Sequence, residues 1–178
     1  MKILAICGSS RRGNTEAMLK RILDGAKEAG AQIELVLLRE KQILTCDGCF
    51  CCEKTKTCRL SDDMRLIYPK MFNADVIVLG SPNYFNNVSG LMKNFFDRFC
   101  PFWEETLKGK KAVLVVAGAE GGKSLKTTEK ALKNFCEICS IRIVGKILIK
   151  AKEANEIQKN QKVMQKCFLL GKKIAAAE

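Results

Sequence analysis

Apolar positions recur along the chain in short runs at Ile3–Cys7, Ile33–Leu38, Val76–Leu79, Ala112–Ala117 and Ile141–Ile149. The first four are brief and rich in β-branched residues, the pattern of strands covered on both faces. Between them the apolar period lengthens to that of helices. Asn14–Glu28 carries Ala17, Met18, Ile22 and Ala26 on one stripe and meets Gly30 at its stop position. Ser61 with Asp62 and Asp63 reads as a helix start, followed by Met64, Ile67 and Met71 at buried spacing. Further helices are expected from Ser89 to about Phe99 and from Ser124 to about Cys139. A last one is expected from about Glu153 to Ala177, with Ile157, Met164, Phe168 and Ile174 inward. Strand and helix alternate five times, which predicts an α/β domain with a parallel sheet and right-handed crossovers.

The second strand-to-strand interval exceeds the first by the length of the stretch Cys46–Cys58. A single domain spanning residues 1–178 is therefore expected to carry a cysteine-rich loop, 46–58, inserted after strand two. No apolar run approaches the roughly 20 residues of a membrane-spanning helix. The opening residues do not read as a secretory leader, so a reducing compartment, the cytoplasm, is expected. There are ten cysteines and no histidine in 178 residues, with a formal charge of +12. Lacking histidine, the chain has no Ser-His-Asp triad, no imidazole base and no mixed Cys/His zinc finger. No side chain is assigned as a catalytic acid or base. The basic residues are dispersed over helix faces, which suits solubility and the steering of an acidic partner better than nucleic-acid binding.

Strand one runs into Gly8-Ser9-Ser10-Arg11-Arg12-Gly13-Asn14-Thr15 at the start of a helix. Small and hydroxyl residues there leave backbone N–H groups and a helix dipole free for an anion. A Walker A loop would need lysine where Asn14 stands, and the dinucleotide fingerprint would need glycine at Ser10. A phosphate monoester site at the switch point of a flavodoxin-like sheet, order 2-1-3-4-5, remains; a simple serine-rich capping turn is the plain alternative. Two more loops follow strands three and four. Pro82, Asn83, Tyr84, Phe85 and Asn86 combine a rigid turn, aromatics and amides suited to a flavin ring. Gly118, Gly121 and Gly122 permit close backbone approach.

Cys46, Cys49, Cys52 and Cys58 form C-x2-C-x2-C-x5-C, a compact thiolate set like those that ligate [4Fe-4S] clusters. Zinc and a metal-free thiol relay are the other readings, and Cys51, beside Cys52, leaves the third ligand open. Cys7, Cys100, Cys167 and the pair Cys136 and Cys139 stand in apolar surroundings and read as packing residues.

The stretches GSSRRGNT and SPNYFNNVSGLMKNFFDR resemble the NADPH-dependent FMN reductase group of flavodoxin-like proteins, and the cysteine insert is similar to that of iron–sulfur flavoproteins. The resemblance implies FMN held at its phosphate by Ser9, Arg11, Asn14 and Thr15 and at its ring by Pro82, Asn83, Tyr84 and Phe85. It implies a [4Fe-4S] cluster on Cys46, Cys49, Cys52 and Cys58, and a homodimer or homotetramer. The function implied is oxidoreduction between a ferredoxin-like carrier and a small acceptor such as oxygen, peroxide, quinone or flavin. Alternatives are an NAD(P)H-dependent FMN or quinone reductase with a structural or thiol-redox cysteine loop, and a zinc-bearing or redox-sensing binding module without turnover.

Overall fold

The computed structural model describes residues 1–102 and 106–176. Five strands, β1 (Lys2–Cys7), β2 (Gln32–Leu37), β3 (Val76–Pro82), β4 (Lys111–Gly118) and β5 (Arg142–Lys150), pair in parallel as one sheet in the order β2-β1-β3-β4-β5. This is the flavodoxin-like order expected from the sequence. Helices are α1 (Asn14–Glu28), α2 (Cys51–Thr55), α3 (Met64–Asn73), α4 (Gly90–Asp97), α5 (Lys123–Ile138), α6 (Glu156–Lys159) and α7 (Gln161–Ala176). None of them is long and apolar enough to cross a membrane.

Alternate residues of the central strands feed two cores, because successive side chains leave a strand on opposite faces. Ile3, Ala5 and Cys7 pack with Met18 and Ile22 of α1 and Cys167 and Ile174 of α7. Leu4 and Ile6 pack on the other side with Met64 and Ile67 of α3, Phe95 of α4 and Phe135 of α5. β2 is less covered than its apolar run suggests. It is a sheet edge that exposes Gln32 and Glu34, and Glu34 pairs with Lys70 of α3.

Two helix boundaries differ from the sequence reading. Ser61 is not the cap of α3; the Asp62 carboxylate accepts the Met64 N–H at 3.0 Å and Asp63 occupies the capping position. The expected last helix is two helices broken at Asn160, whose side chain accepts the Val163 N–H at 3.2 Å; Ala177 lies outside the described residues. Its buried stripe is Cys167, Gly171 and Ile174, with Met164 and Phe168 only half buried. The reason is how closely α7 crosses α1. A Cβ on Gly171 would stand 1.9 Å from the Ile22 carbonyl oxygen, and one on Gly25 would stand 2.0 Å from that of Phe168. The Phe168 ring turns outward under the Arg21 guanidinium, 4.2 Å from its centroid.

Candidate functional site

The carboxyl ends of β1, β3 and β4 bring the three predicted loops to one edge of the sheet. In the first, Ser9 is buried and braces the turn, donating to the Arg11 carbonyl at 2.7 Å and accepting from the Arg11 N–H at 3.3 Å. Ser10, Arg11 and Arg12 are exposed; Gly13 and Thr15 are buried at the start of α1. The Ser10 hydroxyl stands 3.3 Å from the Tyr84 hydroxyl and so links the first loop to the second. Asn14 is committed elsewhere. Its side chain donates to the Glu153 carbonyl at 2.8 Å and accepts from the Ile157 N–H at 3.1 Å, pinning the loop before α6 to α1. Ser89, which caps α4 by accepting from Met92 N–H at 3.1 Å, also donates to the Gly8 carbonyl at 2.6 Å.

In the second loop Tyr84 and Asn87 exchange two backbone hydrogen bonds of 3.0 Å around Phe85 and Asn86, both left-handed (φ 52° and 60°). That is the geometry of a tight primed turn, and it holds the Phe85 ring wholly in solvent. Asn83 donates to the carbonyl and hydroxyl of Ser124 at 2.7 and 3.0 Å, and the Ser124 hydroxyl donates to Asn86 at 2.6 Å. The second and third loops are thus held as one surface. Gly118 is required by closeness: a Cβ there would meet the Asn83 Cβ at 2.7 Å. Gly122 is left-handed (φ 57°) at the start of α5, and Gly121 lies against Lys150.

Beside this edge lies a cavity of about 650 Å³ bordered by Cys46, Cys49, Cys52, Cys58 and Cys100 on one side and by Phe96, Phe135 and Ile138 on the other. It reaches the second loop at Asn87 and Val88. Cys51 does not border it and hydrogen-bonds Cys49 instead. Among the described residues no three ligating side chains converge closely enough to hold a metal ion. Backbone amide and Arg59 hydrogen bonds lower the Cys49 pKa, the Arg59 Nε lying 3.2 Å from its sulfur. The Cys52 thiol is pushed up to about 11 by burial and by its hydrogen bond with Cys100. Cys100 is therefore no packing residue: it is exposed and stands against the cysteine loop. Cys7, Cys136, Cys139 and Cys167 are buried, as expected, and burial raises each thiol to about 11 or 12.

Both roots of the cysteine loop are tied down by one buried ion pair. The side chains of Asp62 and Arg98 are each 1% exposed and bond through both carboxylate oxygens. Asp62 also accepts the Leu44 N–H at 2.8 Å, and Arg98 donates to the Leu44 carbonyl at 2.7 Å. Tyr68 donates to the Arg98 carbonyl at 2.5 Å. Burial alone would raise the Asp62 pKa, but hydrogen bonds from Arg98, Leu44 and Met64, with the Arg98 charge, hold it below the usual carboxylate value. In the first turn of α1 a second buried carboxylate, Glu16, is held by Arg39 and Lys20 at 2.7 Å each.

Residues 1–155 match the family model for NADPH-dependent FMN reductases. The chain belongs to that family. Members of that family are flavin-dependent oxidoreductases. An iron-sulfur flavoprotein of Methanocaldococcus jannaschii is 36% identical over 147 residues, 82% of this chain and 76% of that protein. NAD(P)H dehydrogenase (quinone) 3 of Rhizobium meliloti is 32% identical over 124 residues, covering 68% of this chain and 55% of that one. A solved flavone reductase shares the fold with a TM-score of 0.80 at 23% identity, over 98% of this chain and 62% of its own.

Sequence reading missed Asp62, Arg98, Arg59, Ser124 and Cys100 as members of the site. Arg98 alone carried a signal, being a charge inside the aromatic stretch Phe95–Phe99, where burial demands a partner. The partner itself, 36 residues away, carried none.

Proposed function

We propose that this chain is a two-centre redox enzyme, with FMN at the three-loop edge and a [4Fe-4S] cluster on Cys46, Cys49, Cys52 and Cys58. It would carry electrons between a ferredoxin-like carrier and a small acceptor such as oxygen, peroxide, a quinone or free flavin. One observation carries this reading: all four cysteines of the motif, and not Cys51, border one cavity that extends to the second flavin loop. The chain's likeness to the iron-sulfur flavoprotein of Methanocaldococcus supports it. FMN takes electrons singly or in pairs and a cluster takes them singly, so together they suit one-to-two-electron conversion.

The chain's own groups fit both. Ser9, Ser10, Arg11, Arg12, Gly13 and Thr15 would surround a phosphate at the positive end of α1. Asn14 would add its backbone N–H, since its side chain is occupied. Pro82, Asn83, Tyr84, Phe85 and Asn86 would meet the ring, with Gly118, Gly121 and Gly122 leaving room beside it. The four motif thiols that border the cavity suit a thiophilic centre, and left-handed Gly48 and Phe50 let the loop turn between its first cysteines. We further read residues 1–178 as one flavin-binding domain with 46–58 inserted, working in the cytoplasm as a homodimer or homotetramer. Exposed Phe50, Phe85 and Ile138 would supply apolar surface for that association.

Anaerobic purification followed by FMN, iron and sulfide analysis tests the proposal. One FMN with about four irons and four sulfides per chain is expected. Flavin without iron would defeat the cluster and favour a second reading, an NAD(P)H-dependent quinone reductase with a thiol loop. The contacts Cys49–Cys51 and Cys52–Cys100 and the Rhizobium relative speak for that alternative.

A further inference from the structure

Cys100 has no role in the cofactor sites proposed above, yet it is exposed and borders the same cavity as the four motif cysteines. Packing fixes its place on the body of the molecule. It opens the turn Cys100–Phe102 after α4, in which Pro101 is buried and the Phe102 N–H donates to the Phe99 carbonyl at 2.9 Å. The Phe102 ring meets those of Tyr68 and Phe72 at 4.8 and 4.9 Å. The short helix α2 packs on this turn and brings the Cys52 thiol into hydrogen-bond contact with that of Cys100. Unlike the turn, α2 buries none of its residues and is bounded by left-handed Phe50 and Lys56. One sulfur is therefore held, while the other rides on a surface helix that can give enough to reach disulfide geometry. The rival thiol contact, Cys49–Cys51, stays within one bend, and there the Cys49 sulfur already accepts the Arg59 Nε–H at 3.2 Å.

We infer that Cys52 and Cys100 form a redox-active dithiol that closes to a disulfide by exchange with a small disulfide, and that this link locks the cluster seat by taking Cys52 out of it. The exposed Cys100 gives up its proton and attacks one sulfur of the small disulfide, releasing one thiol and leaving a mixed disulfide on Cys100. Cys52 then attacks the Cys100 sulfur and releases the second thiol. Two protein thiols are oxidised, one small disulfide is reduced, and the two protons leave on the released thiols. An added dithiol reverses both steps. Linked in this way, a ligand without its iron is kept from irreversible oxidation. The disulfide rests on the thiol contact alone. Its exclusion by iron rests on the cluster reading above, because Cys52 bound to iron has no thiol to offer.

The test incubates iron-free, full-length protein anaerobically with glutathione disulfide, alkylates the remaining thiols, digests without reduction and sequences the linked peptides by mass spectrometry. A Cys52–Cys100 bridge is expected as the major disulfide, and Cys100→Ser is expected to abolish it. Its yield should fall at least tenfold in concentrated urea, because only native packing joins thiols 48 positions apart in the chain. A Cys49–Cys51 bridge as the main product, no bridge at all, or equal yields from folded and unfolded protein overturns the inference. Iron-loaded protein is expected to form the bridge at least tenfold more slowly than iron-free protein, and an equal rate overturns the lock. Wild type that binds no iron under anaerobic conditions sinks the cluster reading and the lock with it, while the bridge stands or falls on the iron-free protein.

Discussion

Asp62→Ala probes the anchor of the cysteine loop and has a magnitude that follows from its contacts. The substitution removes the carboxylate paired with Arg98, whose side chain is 1% exposed. Breaking a buried pair by removing one partner costs about 3–5 kcal/mol, because the remaining charge is left uncompensated in a poor solvent. The Met64 N–H at the start of α3 also loses its acceptor, which adds about 1 kcal/mol. The expected loss is about 4–6 kcal/mol, comparable to the whole stability of many domains. Anaerobic urea unfolding, followed by far-UV circular dichroism, measures it by linear extrapolation. The double variant Asp62→Ala/Arg98→Leu supplies the internal check. With no charge left to strand, it should recover about 2 kcal/mol or more of the single variant's loss. A single variant within about 1 kcal/mol of wild type, or a double variant destabilised by the sum of both single losses, refutes the reasoning.

Four further outcomes are expected. Cys52→Ser removes iron while FMN is retained, whereas Cys51→Ser keeps it; the reverse pattern in iron analysis would make Cys51 the ligand. Gly118→Val must displace Asn83 from Ser124 and so weaken FMN binding about tenfold to a hundredfold, read by flavin fluorescence titration of the apoprotein. Acid unfolding is expected to depend on Asp62 and Glu16. Each carboxyl sits below its ordinary value in the fold, so its stabilisation is present above about pH 4 and fades as pH falls through the lowered value. Stability curves from pH 7 to pH 2 for Glu16→Gln should accordingly lose part of the wild-type slope in that acid range. Gly171→Ala should cost several kcal/mol in thermal or urea unfolding, because its Cβ would meet the Ile22 carbonyl rather than a side chain that can move. A neutral result there would mean that α7 can shift along α1.

The legible parts of this protein are those written in local order. β-branched runs, helical stripes and the glycine–serine loop after β1 are properties of neighbouring residues. Their alternation alone implies the parallel sheet, whose crossover rule leaves few topologies. The cysteine motif is equally local, and the insert shows in the spacing of strands. Errors arose where a tertiary contact overrode local pattern. Phe168 has helical spacing for burial, yet the crossing at Gly25 and Gly171 leaves no room for its ring inside. Cys100 sits among aromatic residues, yet the end of α4 delivers it to the cysteine loop, 48 positions from Cys52 in the chain. Asn14 has a phosphate-binding address, but the loop before α6 claims its side chain.

The sequence by itself determined the α/β class, the five-strand order, the three loops that meet at one sheet edge and the thiol set, because each follows from periodicity or from residues a few positions apart. Only the tertiary structure decided which thiols share a cavity, that Cys51 turns away from it, and that a buried Asp62–Arg98 pair holds the loop in place. Those facts depend on electrostatics and packing between segments tens of residues apart. A lone buried charge is unaffordable, so the chain must fold its partner to it, but nothing in the local pattern says which partner that is.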